Sequence, residues 1–188
     1  MLLLVPLSDI FLCLFIWLSL ARHGHSIKDL GLQPPRPVRS LCIAPLVYAA
    51  TVPVVFLASH INQIVALRAG LQLREHPLLT ALLNEPRIPM ILFLIGYAVI
   101  IRPITEEIFF RGYLHPALRR ELGKTPAIFA GALTFSALHF RPDLLLPLMV
   151  IGIVLSALYE RTRSLPACML VHALNNGLMV AIAFKQVS

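Results

Sequence analysis

Residues 41–67 contain no Asp, Glu, Lys or Arg, and that stretch alone limits what the chain can become. An apolar run of more than about 18 residues reads as a membrane-crossing helix, because a hydrocarbon core about 30 Å thick takes roughly 20 residues of α-helix to cross. Comparable runs recur at Leu2–Leu20, Leu41–Leu67, Ile88 into the Glu106–Glu107 region, Thr125–Phe140, Leu144–Tyr159 and Pro166–Phe184. Of the 188 residues, 58% are hydrophobic and 13% charged. An average soluble domain carries about 25% charged residues, so this chain cannot cover a globular surface with charge. Disorder needs the opposite composition, and a membrane β-barrel needs alternating segments of about ten residues. The expected fold is therefore all-α: a polytopic transmembrane helix bundle of about six spans, with short loops and no internal repeat.

The loops carry the charge. The net excess of +7 is scattered, without a nucleic-acid fold motif or aromatic interleaving, so no nucleic-acid partner is expected. Nine Lys and Arg fall in the loops at 21–40, 119–124 and 161–163, against five in the loops and ends at 68–87, 141 and 185. By the positive-inside rule, the N- and C-termini are expected to be extracytoplasmic. The first span has no basic segment before it and no A-x-A site after it, so a retained helix is expected. The prolines at 34, 35 and 37 require extended backbone before span two. Tyr113–Leu122, with His115, is amphipathic and basic and is placed at the membrane interface. Pro103 is expected to kink span three, and Trp17 suits an interface anchor. Cys13, Cys42 and Cys168 lack CxxC spacing and read as small packing residues. His23 and His25 have no third ligand. His60, Asn62 and Gln63 read as interhelical contacts or as the end of span two.

The informative residues are the polar ones inside the spans, because each ionisable group at the membrane centre costs about 2.5–3.5 kcal/mol on insertion scales. Span three holds Glu106, Glu107 and Arg111. Glu107 and Arg111 are four apart with the acid first, the favoured order for a helix pair, which leaves Glu106 the less committed carboxylate. Phe135 and His139 share a face of span four, and His172 and Asn176 share one of span six; Asn175 points elsewhere. Spans three and four run antiparallel from a turn near 119–124, which puts Glu106 and His139 at similar depth, with His172 close to that layer. A carboxylate, two imidazoles and an amide can thus meet in one cavity. The set suffices for hydrolysis: Glu106 can take a proton from water, the imidazoles can position it, and an amide can donate to an oxyanion. No HExxH is present, which removes the zincin arrangement. If a divalent metal such as zinc takes part, Glu106, His139 and His172 are its candidate ligands.

EExxxR (Glu106, Glu107, Arg111, then Gly112), FxxxH (Phe135, His139) and HxxxN (His172, Asn176), in that order, resemble the three motifs of the CPBP intramembrane proteases. That group includes the type II CAAX prenyl endopeptidases and the bacterial Abi, or bacteriocin-processing and immunity, proteins. The resemblance covers residues 88–184, which it implies are the catalytic core; residues 1–87 hold N-terminal spans and loops with no matching role. It implies that Glu106 activates water with His139 as partner, that Glu107 and Arg111 support the site, and that His172 and Asn176 stabilise the oxyanion. The short core is similar to bacterial members, so a cell inner-membrane location and a membrane-anchored protein or peptide substrate in the bilayer are expected. Prenylated CAAX substrates are not. A non-catalytic immunity or scaffold protein and a small proton-coupled transporter are the competing readings; the transporter would show repeated half-structures.

Overall fold

The computed structural model describes residues 4–22, 30–71 and 87–185. His23, His25, Lys28 and Arg74 lie outside the described residues. Each expected span is a helix: α1 Leu4–Arg22, α2 Pro37–Arg68, α3 Ile88–Leu122, α4 Lys124–Ala137, α5 Leu145–Thr162 and α6 Leu165–Lys185. A 3-10 turn, Pro142–Leu144, leads into α5. Among the described residues α2, α3, α5 with its leading turn, and α6 are long and apolar enough to cross a bilayer. At 14 residues, α4 covers only about 21 Å. The chain is an integral membrane protein, and apolar side chains such as Phe11, Leu46, Leu57, Leu92 and Phe140 cover its outside.

Helix ends follow local chemistry. Pro37 is the first residue of α2, where its missing N–H costs nothing and its fixed φ suits the helix. The extended stretch expected across all three prolines therefore stops at Arg36. Gly123, at φ +82°, closes α3 in a conformation that side chains disfavour. Leu30 is buried, Tyr159 Oη donates to its carbonyl at 3.2 Å, and Leu165 N–H donates to Gly31 O at 3.0 Å. The 30–36 loop thus ties the first two helices to the α5–α6 corner.

Three expectations are corrected. Tyr113–Leu122 is not a separate interfacial segment but the end of α3. Its His115 is fully buried because Nε2 meets Glu160 Oε1 at 2.9 Å, a partner that also takes Arg119 at 2.7 Å. Cys13 and Cys42 are exposed, so only Cys168 packs in the interior. Asn62 is buried while His60 and Gln63 are exposed, so the interhelical contact belongs to Asn62 alone. It accepts from Leu146 N–H at 2.8 Å and donates to Pro142 O at 3.1 Å, capping the start of α5 from α2.

The helices α4 and α5 approach closely. A Cβ on Gly152 would lie 3.0 Å from Ala132 Cα and 3.1 Å from its Cβ. Gly152→Ala should therefore push these helices apart and cost about 1–3 kcal/mol, as overpacking generally does. Thermal denaturation in one detergent checks this, and Ala132→Gly in the same chain should recover part of the loss. An unshifted melting temperature would mean the contact is loose.

Candidate active site

Span three is not a uniform α-helix. It runs α over Ile88–Gly96, π over Tyr97–Ile101, α over Arg102–Glu107, π over Ile108–Leu114 and α over His115–Leu122. Each π stretch ends two residues before a proline, Pro103 and Pro116. Arg102 N–H bonds Tyr97 O, five residues back. The next bond in that register would run from residue 103 to Ala98 O, but proline has no N–H. Asn176 Nδ2 donates to Ala98 O instead, at 2.9 Å. The predicted effect of Pro103 thus takes the form of a widened turn, and α6 satisfies the carbonyl that it frees.

The short α segment between the π stretches carries both glutamates, and both are buried. Glu107 Oε1 accepts from Arg111 Nη1 at 2.7 Å and from His172 Nδ1 at 2.8 Å. Arg111 Nη2 donates to Gly152 O at 3.1 Å, so one guanidinium links α3 to α5 at the glycine that lets α4 come close. Its carbon lies 4.9 Å from the Phe135 ring centre, within cation–π range. Phe135, fully buried, packs edge-on against His139 at 4.7 Å and His172 at 5.7 Å. It separates the two imidazoles and sets their ring planes.

Glu106 lies between those imidazoles. Its Oε2 is 3.6 Å from His172 Nε2, and its Oε1 is 4.0 Å from His139 Nε2. Glu106 is also less free than the sequence suggested, since Arg102 Nε donates to Oε1 at 2.6 Å. His139 Nδ1 lies 2.7 Å from Phe135 O, an atom that only accepts, so Nδ1 carries the proton. The same holds for His172 Nδ1 against the Glu107 carboxylate. Both rings in neutral form therefore present an Nε2 lone pair towards Glu106. A carboxylate and two such nitrogens suit a water molecule, which gives two O–H donors. They are also the donor types a zinc ion takes, although no three His, Cys, Asp or Glu side chains form a metal-holding group among the described residues.

The structure thus brings Glu106, Glu107, Arg111, His139 and His172 into one network. Asn176 stands one turn beyond His172, fixed by Ala98, and Asn175 makes no hydrogen bond among the described residues. Three residues of the site were given no role from the sequence. Arg102 is four before Glu106, a spacing legible in the string. Tyr97 donates from its hydroxyl to Asp9, bringing α1 against the π turn beside Arg102, a contact across 88 residues that no local pattern signals.

Comparison with curated proteins and with solved structures finds no match. Residues 88–178 match the family model described as type II CAAX prenyl endopeptidase Rce1-like. This stretch begins with α3 and ends two residues beyond Asn176, so it contains every residue of the glutamate–histidine network just described. By that match this stretch, a little under half of the chain, is similar to the Rce1-like type II CAAX prenyl endopeptidases.

Proposed function

We propose that the chain is an intramembrane endopeptidase that hydrolyses a peptide bond of a membrane-anchored protein or peptide, with Glu106 activating the water. The reading is carried by one observation: a buried carboxylate faces two imidazoles that both present Nε2 towards it. A water placed beside the edge of Glu106 that faces His139 would reach both groups. As its oxygen bonds to the scissile carbonyl carbon, Glu106 takes one of its protons, and His139 Nε2 accepts from the other O–H. The carbonyl oxygen becomes an oxyanion. Glu106 then delivers the proton to the leaving nitrogen as the C–N bond breaks, giving a carboxylic acid and an amine.

Asn176 has two N–H groups, of which Ala98 O takes one, leaving the other in a fixed direction for the oxyanion. His172 joins it as a donor from Nε2, with the proton there drawn from solvent before the water attacks and Glu107 still holding Nδ1. Glu107 and Arg111 act through His172 and Phe135 and are positioning residues. The bacterial inner membrane is the proposed location, with both termini extracytoplasmic, as the nine-to-five charge asymmetry supports.

Asn176→Ala should lower kcat by about 10²–10³, the usual loss for one oxyanion donor, with little change in KM. Its bond to Ala98 O should also cost about 1 kcal/mol of stability. Asn175→Ala should change neither. Cleavage kinetics on a membrane-anchored peptide, normalised to folded protein, check this. If Asn176→Ala loses stability but keeps its turnover, the amide only joins α6 to α3.

A further inference from the structure

A cavity of about 870 Å³ lies between α2 and α5. No member of the glutamate–histidine network lines it. Arg36, Arg39 and Arg161 ring one end of it, where the start of α2 meets the end of α5. The walls beyond are apolar, with Ile43, Val47 and Val54 on one side and Val154 on the other. From Ile43 to Val54 the α2 wall extends about 17 Å at the helical rise. One leaflet of a hydrocarbon core about 30 Å thick is about as deep.

Among the described residues the charge at the mouth has no internal counterpart. All three arginines are exposed, and none forms an ion pair among the described residues. Arg119 and Arg163, at the same end of the bundle, are by contrast held by Glu160 at 2.7 and 3.7 Å. The start of α2, where first-turn N–H groups lack an intrahelical acceptor, lies at this same end and favours an anion. Guanidinium groups match phosphate oxygens in pairs. The mouth therefore calls for a phosphate and the walls for a hydrocarbon chain of leaflet length.

We propose that this groove is a binding site for an anionic phospholipid of the surrounding bilayer. Its phosphate lies among Arg36, Arg39 and Arg161, and one acyl chain runs along α2 and α5. The site is separate from the proposed chemistry and stands whether or not the chain cleaves peptides.

The test uses the full purified chain and native mass spectrometry, with phosphatidylglycerol competing against phosphatidylcholine. Wild type should retain one phosphatidylglycerol with clear preference. Arg36→Gln/Arg39→Gln should lower that preference by about thirtyfold, taking each arginine at its usual worth near an anionic headgroup. Arg120→Gln/Lys124→Gln removes the same charge from the same end outside the groove and should leave the preference within about twofold of wild type. Ala157→Phe, which fills the wall without touching the arginines, should weaken retention of both lipids while leaving the melting temperature near the wild-type value. The proposal is overturned if the groove double variant keeps its preference, or if the Arg120/Lys124 variant loses as much, which would make the effect one of general surface charge. It is also overturned if inorganic phosphate raises the melting temperature of delipidated protein as much as the lipid does, which would make this a free-phosphate site.

Discussion

Glu106→Gln is expected to lower peptide cleavage by about 10²–10⁴, the range for a general base that is removed while its surroundings stay in place. The amide keeps the size of the side chain and can still accept from Arg102, but it cannot take a proton from water. The loss should be in kcat, with KM nearly unchanged. Stability should hardly move, because the Arg102 side chain is 39% exposed and such pairs contribute about 0–1 kcal/mol. Glu107→Gln is the informative companion. Its oxygen can still accept from His172, so turnover should fall less while stability falls more, since Arg111 then lacks its counter-charge. If Glu107→Gln is dead and Glu106→Gln turns over normally, the two glutamates have exchanged roles.

The second large effect is structural. Arg111→Met should destabilise the chain by about 3–5 kcal/mol, the cost of leaving a buried partner uncompensated. Arg111 and Glu107 are 1% and 0% exposed, so the stranded carboxylate cannot reach water. Within the pair, Glu107 Oε2 and Arg111 Nε already lack hydrogen-bond partners among the described residues. The pair is therefore expensive, and its value lies in placing His172 and Phe135. Removing both charges in Glu107→Gln/Arg111→Met should recover much of the lost stability, as replacing buried ion pairs often does. It should not recover turnover, because His172 loses its anionic anchor. Melting curves and cleavage rates on the four proteins of this cycle decide the matter. A single Arg111→Met variant that melts with wild type would show that the carboxylate finds another partner.

What the sequence reveals and what it hides divide along a physical line. The spans are legible because membrane insertion depends on local, additive hydropathy. The i, i+4 faces of Glu107–Arg111, Phe135–His139 and His172–Asn176 are legible because helix geometry is fixed. The common depth of Glu106 and His139 follows from two antiparallel helices and one turn. Contacts that depend on the rotation of one helix against another are not legible. His172 could have met either glutamate; the structure gives it Nδ1 to Glu107 and Nε2 to Glu106. Nothing near Ala98 indicates that Asn176 will take its carbonyl, since that depends on a π register that Pro103 permits but does not announce. His115 was misplaced because its partner, Glu160, lies 45 residues away, and a basic amphipathic stretch reads the same whether or not its histidine is covered.

The shortness of α4 bears on how the proposed reaction is supplied. That helix stops at Ala137, after about 21 Å, against a hydrocarbon core of about 30 Å. The turn that follows, with exposed Leu138, Phe140 and Pro142, carries His139, whose Nε2 is 4.0 Å from Glu106, and so lies at the level of that carboxylate. Irregular backbone at that depth persists only where protein covers it or where it borders an aqueous space. Ser136 Oγ and Asn62 cover the carbonyls of Leu145 and Pro142, and the rest of the turn opens outward. For the proposed reaction this shortens the route of the water: His139, 21% exposed beside Glu106, opens the site towards the outside of the bundle at the end of α4, with no conduit through its middle.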